Sequence, residues 1–220
     1  MARESGAVLH LPSPNPWAWL AFAALIAFLS GSLPFAPWLA RLVAQRDLRE
    51  VGDANPGTMN AFRAGGAALG VPVLLLDVTK GVLPIVLARD AFGLSGGGLA
   101  LVAAMPVAGA AFSPFLGFRG GKALAVTFGT WIGLTLWSIP LLAVVAIVVA
   151  TVLIEPDGWA VATTLAAMLL GVLLWVPERW LVATLLAQAS VILWKHRADL
   201  VRPPRRRRRR RRRQRGGAEP

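Results

Sequence analysis

The stretch ALAVTFGTWIGLTLWSIPLLAVVAIVVATVLI, residues 123–154, contains no charged side chain. A helix needs about 20 apolar residues to cross roughly 30 Å of hydrocarbon. The stretch is therefore long enough for two tight crossings, divided near Ser138-Ile139-Pro140. Residues 12–40 form a second uncharged stretch, whereas buried strands of soluble proteins read as apolar runs of about 4–8 residues. The sequence predicts an integral membrane protein.

The composition agrees with a membrane protein. Hydrophobic residues make up 56% of the chain and charged residues only 15%, and the mean hydropathy is +0.61. Soluble proteins carry about 25% charged residues. The apolar segments predict an all-α polytopic bundle of about seven transmembrane helices, with five or six crossings as alternatives. The expected spans are residues 17–40, 68–90, 97–117, 123–137, 139–154, 159–177 and 180–195.

The net charge of +12 is concentrated at the C-terminus, where residues 202–220 hold 11 arginines and one acidic residue. With seven spans, the basic residues of the first loop, of the loop after the third span and of the tail all fall on one side. Because loops on the cytoplasmic side carry an excess of lysine and arginine, we expect the N-terminus outside and the C-terminus in the cytoplasm. The expected location is a bacterial inner membrane.

Three parts of the chain are expected: a short N-terminal segment (1–16), a transmembrane domain (17–197) and an unstructured polyarginine tail (198–220). The N-terminus lacks the basic region and cleavage site of a signal peptide, so the span beginning at Trp17 is expected to be permanent. The tail is expected to lie on anionic lipid head groups and to be dispensable for catalysis. Contact with ribosome or RNA is the alternative, but the tail lacks the aromatic residues of sequence-specific RNA readers.

Several kinds of site are excluded by composition. The chain has no cysteine, which excludes disulfides, thiolate metal sites and cysteine nucleophiles. Its two histidines, His10 and His196, are far apart in sequence. We therefore expect no metal centre and no cofactor.

The first polar loop, residues 47–63, reads DLREVGDANPGTMNAFR and follows the sequence GSLP at 31–34. Glycines allow the backbone to approach a ligand closely, while asparagine and arginine side chains donate hydrogen bonds to anionic oxygens. The pattern favours an anion site. A polar loop with basic residues at the membrane surface is the alternative.

Two further motifs contain charged groups. The sequence GFRGGK at 117–122 precedes a predicted helix, whose first N–H groups together with Lys122 favour an anion site. It is not a Walker A loop, which requires glycine at 116 and serine or threonine at 123. Asp77 and Lys80 lie three residues apart inside the second span, where ionisable groups indicate function. A neutral pair that orients the bundle is the alternative.

Taken in order, these motifs resemble the acyl-phosphate:glycerol-3-phosphate acyltransferase family (PlsY), over residues 30–202 or so. The chain also departs from the family pattern. Alanine at 110 replaces a histidine, Ser113 replaces a proline, and Asp53-Ala54 replaces Ser-Gly. Further departures are Ala123 for glycine, Asp199 for asparagine, and a serine motif lost around residues 155–159. The matching residues are Gly31, Ser32, Pro34, Asp47, Arg49, Gly52, Asn55, Gly57, Asn60, Arg63, Asp77, Lys80, Gly81, Gly120, Gly121, Lys122, His196 and Arg197.

The resemblance implies transfer of a fatty acyl group from acyl phosphate to the sn-1 hydroxyl of glycerol 3-phosphate, giving lysophosphatidic acid. In this interpretation Lys122 and the Gly120–Gly121 amides hold a phosphate, and Arg49 and Arg63 clamp the substrates. Asp53 either pairs with a loop arginine or acts as a base. The residues expected to be catalytic are Lys122, Arg49, Asn60 and Asp53. Those expected to bind substrate are Ser32, Asn55, Gly57, Arg63, Lys80, Gly120, Gly121 and His196.

Two other functions remain open at this point. Alanine at 110 and aspartate at 53 favour an inactive or weakened paralogue that acts as a lipid-binding or regulatory protein. The topology alone is also compatible with a small transporter or channel.

Overall fold

The computed structural model of the protein describes residues 15–207. The expected N-terminal segment up to residue 14 and the arginine run from residue 208 onward lie outside the described residues. Within the described part, helices dominate, which confirms the predicted all-α bundle; they are accompanied by one short antiparallel sheet of β1 (Ile154–Glu155) and β2 (Arg205–Arg206). The α-helices are α1 (Pro16–Ser32), α2 (Phe35–Val43), α3 (Thr58–Val86), α4 (Gly96–Ala111), α5 (Leu124–Thr135), α6 (Ser138–Leu153), α7 (Asp157–Trp175), α8 (Arg179–Lys195) and α9 (Arg197–Leu200).

The predicted first span, residues 17–40, is divided into α1 and α2 by a break at Leu33–Pro34. A residue before proline avoids helical backbone, and proline itself has no N–H to donate. Leu33 is accordingly extended, with φ −60° and ψ 121°. The break frees the Leu33 carbonyl, which accepts a hydrogen bond from Lys80 Nζ at 2.9 Å. The predicted span itself lies within one apolar segment long enough to cross a membrane, Pro16–Val43, and the break inside it is a feature that the apolar run hides.

Helix α3 begins at Thr58, well before the span predicted at 68–90, and it bends at Gly65–Gly66. Gly66 has φ +63°, in the left-handed region that favours glycine. Beyond Val86 the helix continues as a π-helical turn, Leu87–Ala91. One helix therefore carries residues of the first loop motif at its start and the Asp77–Lys80 pair further along.

Four described segments are long and apolar enough to cross a membrane, while α5 and α6 are apolar but shorter. The number of crossings near seven and the orientation of the termini stay predictions. The four segments are Pro16–Val43, Thr58–Ala91, Gly96–Leu116 and Asp157–Trp175.

Two helix pairs approach each other at glycines. A Cβ atom added to Gly31 or Gly109 would lie only 2.0–2.1 Å from a backbone oxygen across the α1–α4 contact. Gly81 and Gly129 make the equivalent contact between α3 and α5, at 2.3 and 2.0 Å. Small residues allow this backbone approach in membrane bundles. The two contacts hold α1, α3, α4 and α5 together around the candidate site.

The chain after α8 folds back over the body. Strand β2 pairs with β1, and the Trp159 indole N–H donates to the Arg202 carbonyl at 2.8 Å. The start of the unstructured tail predicted at residue 198 is therefore too early, because residues 197–207 make specific contacts with the start of α7. We call residues 197–207 the C-terminal strap.

Candidate active site

One cavity of about 480 Å³ lies where the N-terminal ends of α3, α5 and α7 meet the C-terminal ends of α1, α4 and α8. Loops before α3 and α5 supply polar groups, while α5, α6 and α7 supply apolar side chains such as Leu124, Ile147 and Val161. Most residues predicted for the site line this cavity. They are Ser32, Asp53, Asn55, Gly57, Asn60, Arg63, Lys80, Gly121, Lys122 and His196.

Arg49 lies outside this cavity, beside a smaller one of about 100 Å³. The Asp47 carboxylate accepts a hydrogen bond from the Arg49 backbone N–H at 2.9 Å and pairs with Arg41 at 3.2 Å. Leu48, 1% exposed, fixes the same turn. Arg49 therefore lines the smaller neighbouring cavity, and its position gives no support to the prediction that it clamps substrate in the larger one.

Asp53 and Lys122 form the central ion pair of the cavity. Lys122 Nζ lies 3.0 Å from Asp53 Oδ2, and Arg63 Nη1 lies 3.8 Å from Asp53 Oδ1. Burial alone would raise the pKa of Asp53, but hydrogen bonds and charge from Lys122, helped by the Asn60 amide, lower it overall. The lowered pKa makes the Asp53 carboxylate a weaker base, which favours its role as an ion-pair partner over a role as base.

Asn60 organises the loop. It is 1% exposed, and its amide donates to Asp53 Oδ1 at 3.0 Å and to the Asn55 carbonyl at 2.9 Å. Its own oxygen accepts from Arg63 at 2.7 Å. Gly52, with φ +62°, leaves space for this network, since a Cβ there would lie 2.4 Å from Asn60 Oδ1. The side chain predicted as catalytic is thus fully engaged by the protein and positions Asp53 and Arg63.

Lys80 is 8% exposed and pairs with Asp77 at 2.8 Å, as the spacing of the two residues allowed. Thr58 Oγ1 donates to the other carboxylate oxygen of Asp77 at 2.9 Å. Together with its bond to the Leu33 carbonyl, Lys80 joins the α1–α2 break to α3. This arrangement favours the interpretation as a buried neutral pair, although Lys80 also lines the cavity.

The Gly120–Gly121 amides were expected to cradle a phosphate. The Gly121 N–H instead donates to the Ala110 carbonyl at 3.0 Å, and a Cβ on Gly120 would lie 2.2 Å from that oxygen. The pair therefore packs the loop against the end of α4, and the Gly121 amide is not available. Helix α5 offers other donors, because its first internal bond is from Thr127 N–H to the Ala123 carbonyl. The preceding N–H groups, of residues 124–126, lie in the cavity wall.

Ser32 and His196 are both buried at the cavity. The Ser32 hydroxyl donates to the Phe28 carbonyl at 2.7 Å, and His196 Nδ1 lies 2.9 Å from the Ile192 carbonyl. Ser113, at the position of the family proline, donates its hydroxyl to the Ser32 carbonyl at 2.6 Å. Alanine at 110, 9% exposed, lines the cavity where the family has histidine.

Sequence reasoning missed three contributors. Thr58 orients Asp77, Asp199 lies 3.9 Å from Lys122, and Asp157 lines the cavity while pairing with Arg207 of the strap. The acidic residues near 155–157 were visible in the sequence. Nothing in the pattern indicated that an arginine some 50 residues later binds them.

Comparison with known proteins identifies the family. The family model for glycerol-3-phosphate acyltransferase matches residues 21–204. A glycerol-3-phosphate acyltransferase of Thermus thermophilus is 38% identical over 182 residues, covering 81% of this chain and 88% of the relative. A second relative, glycerol-3-phosphate acyltransferase 1 of Thermotoga maritima, is 42% identical over 122 residues, which cover 54% of this chain. The matched part spans 53–60% of the length of the Thermotoga protein and of four further curated relatives.

The fold also matches a solved structure. The crystal structure of PlsY (YgiH), an integral membrane glycerol 3-phosphate acyltransferase, in its glycerol 3-phosphate form, superposes with a TM-score of 0.73 at 26% identity. The match covers 83% of this chain and 90% of that one. With its long apolar helices, the present chain is a multi-pass membrane protein. It belongs to the glycerol-3-phosphate acyltransferase family.

Proposed function

We propose that the protein transfers a fatty acyl group from acyl phosphate to the sn-1 hydroxyl of glycerol 3-phosphate. The products are lysophosphatidic acid and inorganic phosphate, and the expected location is the inner membrane of a bacterium. The observation that carries the proposal is one cavity lined both by cations, Arg63, Lys80 and Lys122, and by aliphatic side chains. Such a cavity suits two phosphate-bearing substrates, one of which has a long hydrocarbon chain.

Phosphate binding is assigned to Lys122, Arg63 and the first N–H groups of α5. A helix N-terminus and a lysine together favour an anion. Asp53 pairs with both of these cations, at 3.0 Å from Lys122 and 3.8 Å from Arg63. A bound phosphate therefore competes with the Asp53 carboxylate for the same two cations.

The acceptor hydroxyl is assigned to Asn55. Its Oδ1 is buried and has no hydrogen-bond partner within residues 15–207. It faces Gly121, where a Cβ atom would lie 3.2 Å away. An unpaired buried acceptor is unfavourable, so a donated hydroxyl proton from the glycerol moiety would stabilise the site.

The reaction needs no covalent enzyme intermediate. The sn-1 oxygen forms a bond to the acyl carbonyl carbon, the bond from that carbon to the phosphate oxygen breaks, and phosphate leaves. The hydroxyl proton ends on the departing phosphate, since the low pKa of Asp53 makes it a weak base. The protein contributes by holding two anions side by side and by donors aimed at the developing charge.

Contact with lipid is assigned to two places, the apolar part of the cavity and the C-terminus. The acyl chain is assigned to the space lined by Leu124, Ile147 and Val161. The arginine-rich C-terminus is assigned to anionic head groups, because each basic residue near such a surface contributes about 1 kcal/mol.

A second candidate is an inactive or weakened paralogue that binds lipid. The Asp53–Lys122 pair and the alanine at 110 favour it, since the first opposes phosphate binding and the second removes a possible proton carrier. The two candidates are separated by an assay of purified protein with palmitoyl phosphate and radiolabelled glycerol 3-phosphate. Labelled lysophosphatidic acid supports the enzyme. Folded protein that binds glycerol 3-phosphate without forming product supports the paralogue.

A further inference from the structure

We propose that Arg207 of the C-terminal strap is a positioning residue of the site: it neutralises Asp157 at the cavity and thereby sets the affinity for the anionic acceptor. The inference rests on the proposed function, because it concerns the binding of glycerol 3-phosphate. It also reverses the expectation that everything beyond the last motif is dispensable for catalysis.

The strap is held beside the cavity by contacts with the start of α7 and the end of α6. Gly158 lies against Asp199, where a Cβ on the glycine would come within 2.6 Å of the Asp199 Cβ. Trp159 holds the Arg202 carbonyl, and the Arg207 backbone N–H donates to the Leu153 carbonyl at 2.9 Å. These contacts align the end of the strap with the turn between α6 and α7.

At this turn Arg207 meets two carboxylates. Its Nε lies 3.2 Å from Glu155 Oε1, and its Nη2 donates a short hydrogen bond to Asp157 Oδ1. The Arg207 side chain is 37% exposed and that of Asp157 62%, so this ion pair lies at the solvent-exposed margin of the site. Asp157 is the first residue of α7 and lines the cavity. Arg207 thus acts on the site through Asp157 and does not line the cavity itself.

The charges around the cavity show why this contact matters. Each cavity carboxylate is matched by a cation: Asp53 by Lys122, Asp77 by Lys80, and Asp157 by Arg207. Without Arg207, the Asp157 and Glu155 carboxylates would have no cation of their own within the described part of the chain. Their negative field would then oppose a phosphate dianion entering beside Lys122. The effect falls on binding more than on the chemical step.

The test uses the full-length protein in detergent and five variants. We measure kcat and KM for glycerol 3-phosphate, and its Kd by calorimetry. Arg207→Ala should raise KM and Kd roughly three- to tenfold and change kcat less than about twofold. Arg207→Lys should retain most of the affinity. Arg206→Ala is the matched control: it removes the same charge from the neighbouring residue of the strap, and Arg206 makes no ion pair within residues 15–207.

The decisive variant is the double substitution Asp157→Asn with Arg207→Ala. If the charge of Asp157 is the cause, the double variant should bind glycerol 3-phosphate more tightly than Arg207→Ala alone and approach Asp157→Asn. If the double variant is no better, the strap acts only by holding α7 and the inference is overturned. Equal affinities of Arg207→Ala and Arg206→Ala overturn it as well.

The wild-type protein separates this inference from the proposed function. If the wild type binds glycerol 3-phosphate without turnover, only the proposed function is contradicted, because the Kd values of the variants still test the role of Arg207. Absence of binding by the wild type overturns both.

Discussion

Lys122 Nζ lies 3.0 Å from Asp53 Oδ2, so the chain itself supplies an anion to the lysine expected to bind phosphate. Asp53 stands where the resembled family has serine, and the exchange turns a hydroxyl into a competing charge. Asn60 and Arg63 both contact the other carboxylate oxygen of Asp53 and so hold this side chain in place. We therefore expect substrate affinity to depend on how readily the Asp53 carboxylate gives up its cations.

Replacing Asp53 by asparagine should tighten binding of glycerol 3-phosphate by about threefold or more, because the substrate no longer competes with a charge. The pKa of Asp53 lies below its usual 3.8. Its ion pair is thus present above that pKa and lost only as the pH falls through it. Because a phosphate monoester loses its second proton at about pH 6, the gain from Asp53→Asn should be the same at about pH 7.5 and about pH 8.5, where Asp53 and the substrate both keep their charge. Calorimetry at both pH values checks this, and a gain confined to one of them would contradict it.

Lys122→Ala should abolish measurable turnover while leaving folded protein in the membrane. Losing a charged hydrogen bond to phosphate costs roughly 1.5–3 kcal/mol in binding, and more if the contact strengthens in the transition state. Steady-state kinetics on detergent-purified protein provide the measurement. Arg179→Ala is the control, since Arg179 is exposed at the far end of α8. If Lys122→Ala leaves the kinetics unchanged, residues 117–122 form a structural turn and do not bind phosphate.

The substitution Ala110→His should raise kcat with little change in KM. The side chain at this position lines the cavity, and positioned proton transfer contributes roughly 10²–10⁴-fold. Restoring the family proline at 113 is not expected to help, because the Ser113 hydroxyl holds the Ser32 carbonyl at 2.6 Å. Ser113→Pro should instead lower the free energy of unfolding by about 1 kcal/mol. Kinetics and thermal unfolding of each single variant test the two statements separately.

Alanine at 123 has φ +60°, and alanine at 54 has φ +58°, where the resembled family has glycine at both positions. The left-handed region costs an L-residue roughly 1–2 kcal/mol. Ala123→Gly should therefore raise the free energy of unfolding by about 1 kcal/mol. The exposed helical position Ala187 supplies the contrast, since Ala187→Gly should lower it by about the same amount. Thermal midpoints in detergent that move in the same direction for both variants would rule out backbone strain.

Reporter fusions placed after Arg63, Arg119 and Arg215 should all read cytoplasmic, because the basic residues of the two loops and of the tail are predicted to lie on one side. A fusion after Gly93, between α3 and α4, should read external. An external signal at Arg119 would refute the assignment of the second basic loop, and with it the placement of the candidate site on the cytoplasmic face.

Much of the fold was readable from the sequence because hydrocarbon imposes long apolar runs. The break at Pro34 was hidden inside such a run, and the start of α3 was missed because its first residues are polar. Most residues predicted for the site line the cavity, since the motifs carry them in order. Their contacts were not, because they depend on partners distant in sequence. Asp53 and Lys122 are brought together only when Gly120 packs against the end of α4.

Arg49 shows the same limit on a smaller scale. Its place in the motif predicted a role at the site, but a local hydrogen bond from its backbone to Asp47 decides where the turn points. Sequence order gives the position of a residue along the chain. The direction of its side chain depends on caps and turns that the motif does not specify.

The glycine contacts between α1 and α4 and between α3 and α5 give the cavity two unlike walls. Where backbone touches backbone, no rotamer change can widen the gap, so the spacing of the groups meeting the phosphates is fixed. The α6–α7 side of the cavity presents side chains instead, including Ile147, Thr151 and Val161. Because β-branched side chains have few rotamers in a helix, we expect this side to set which acyl chains fit, while the backbone contacts set the geometry of the reacting groups.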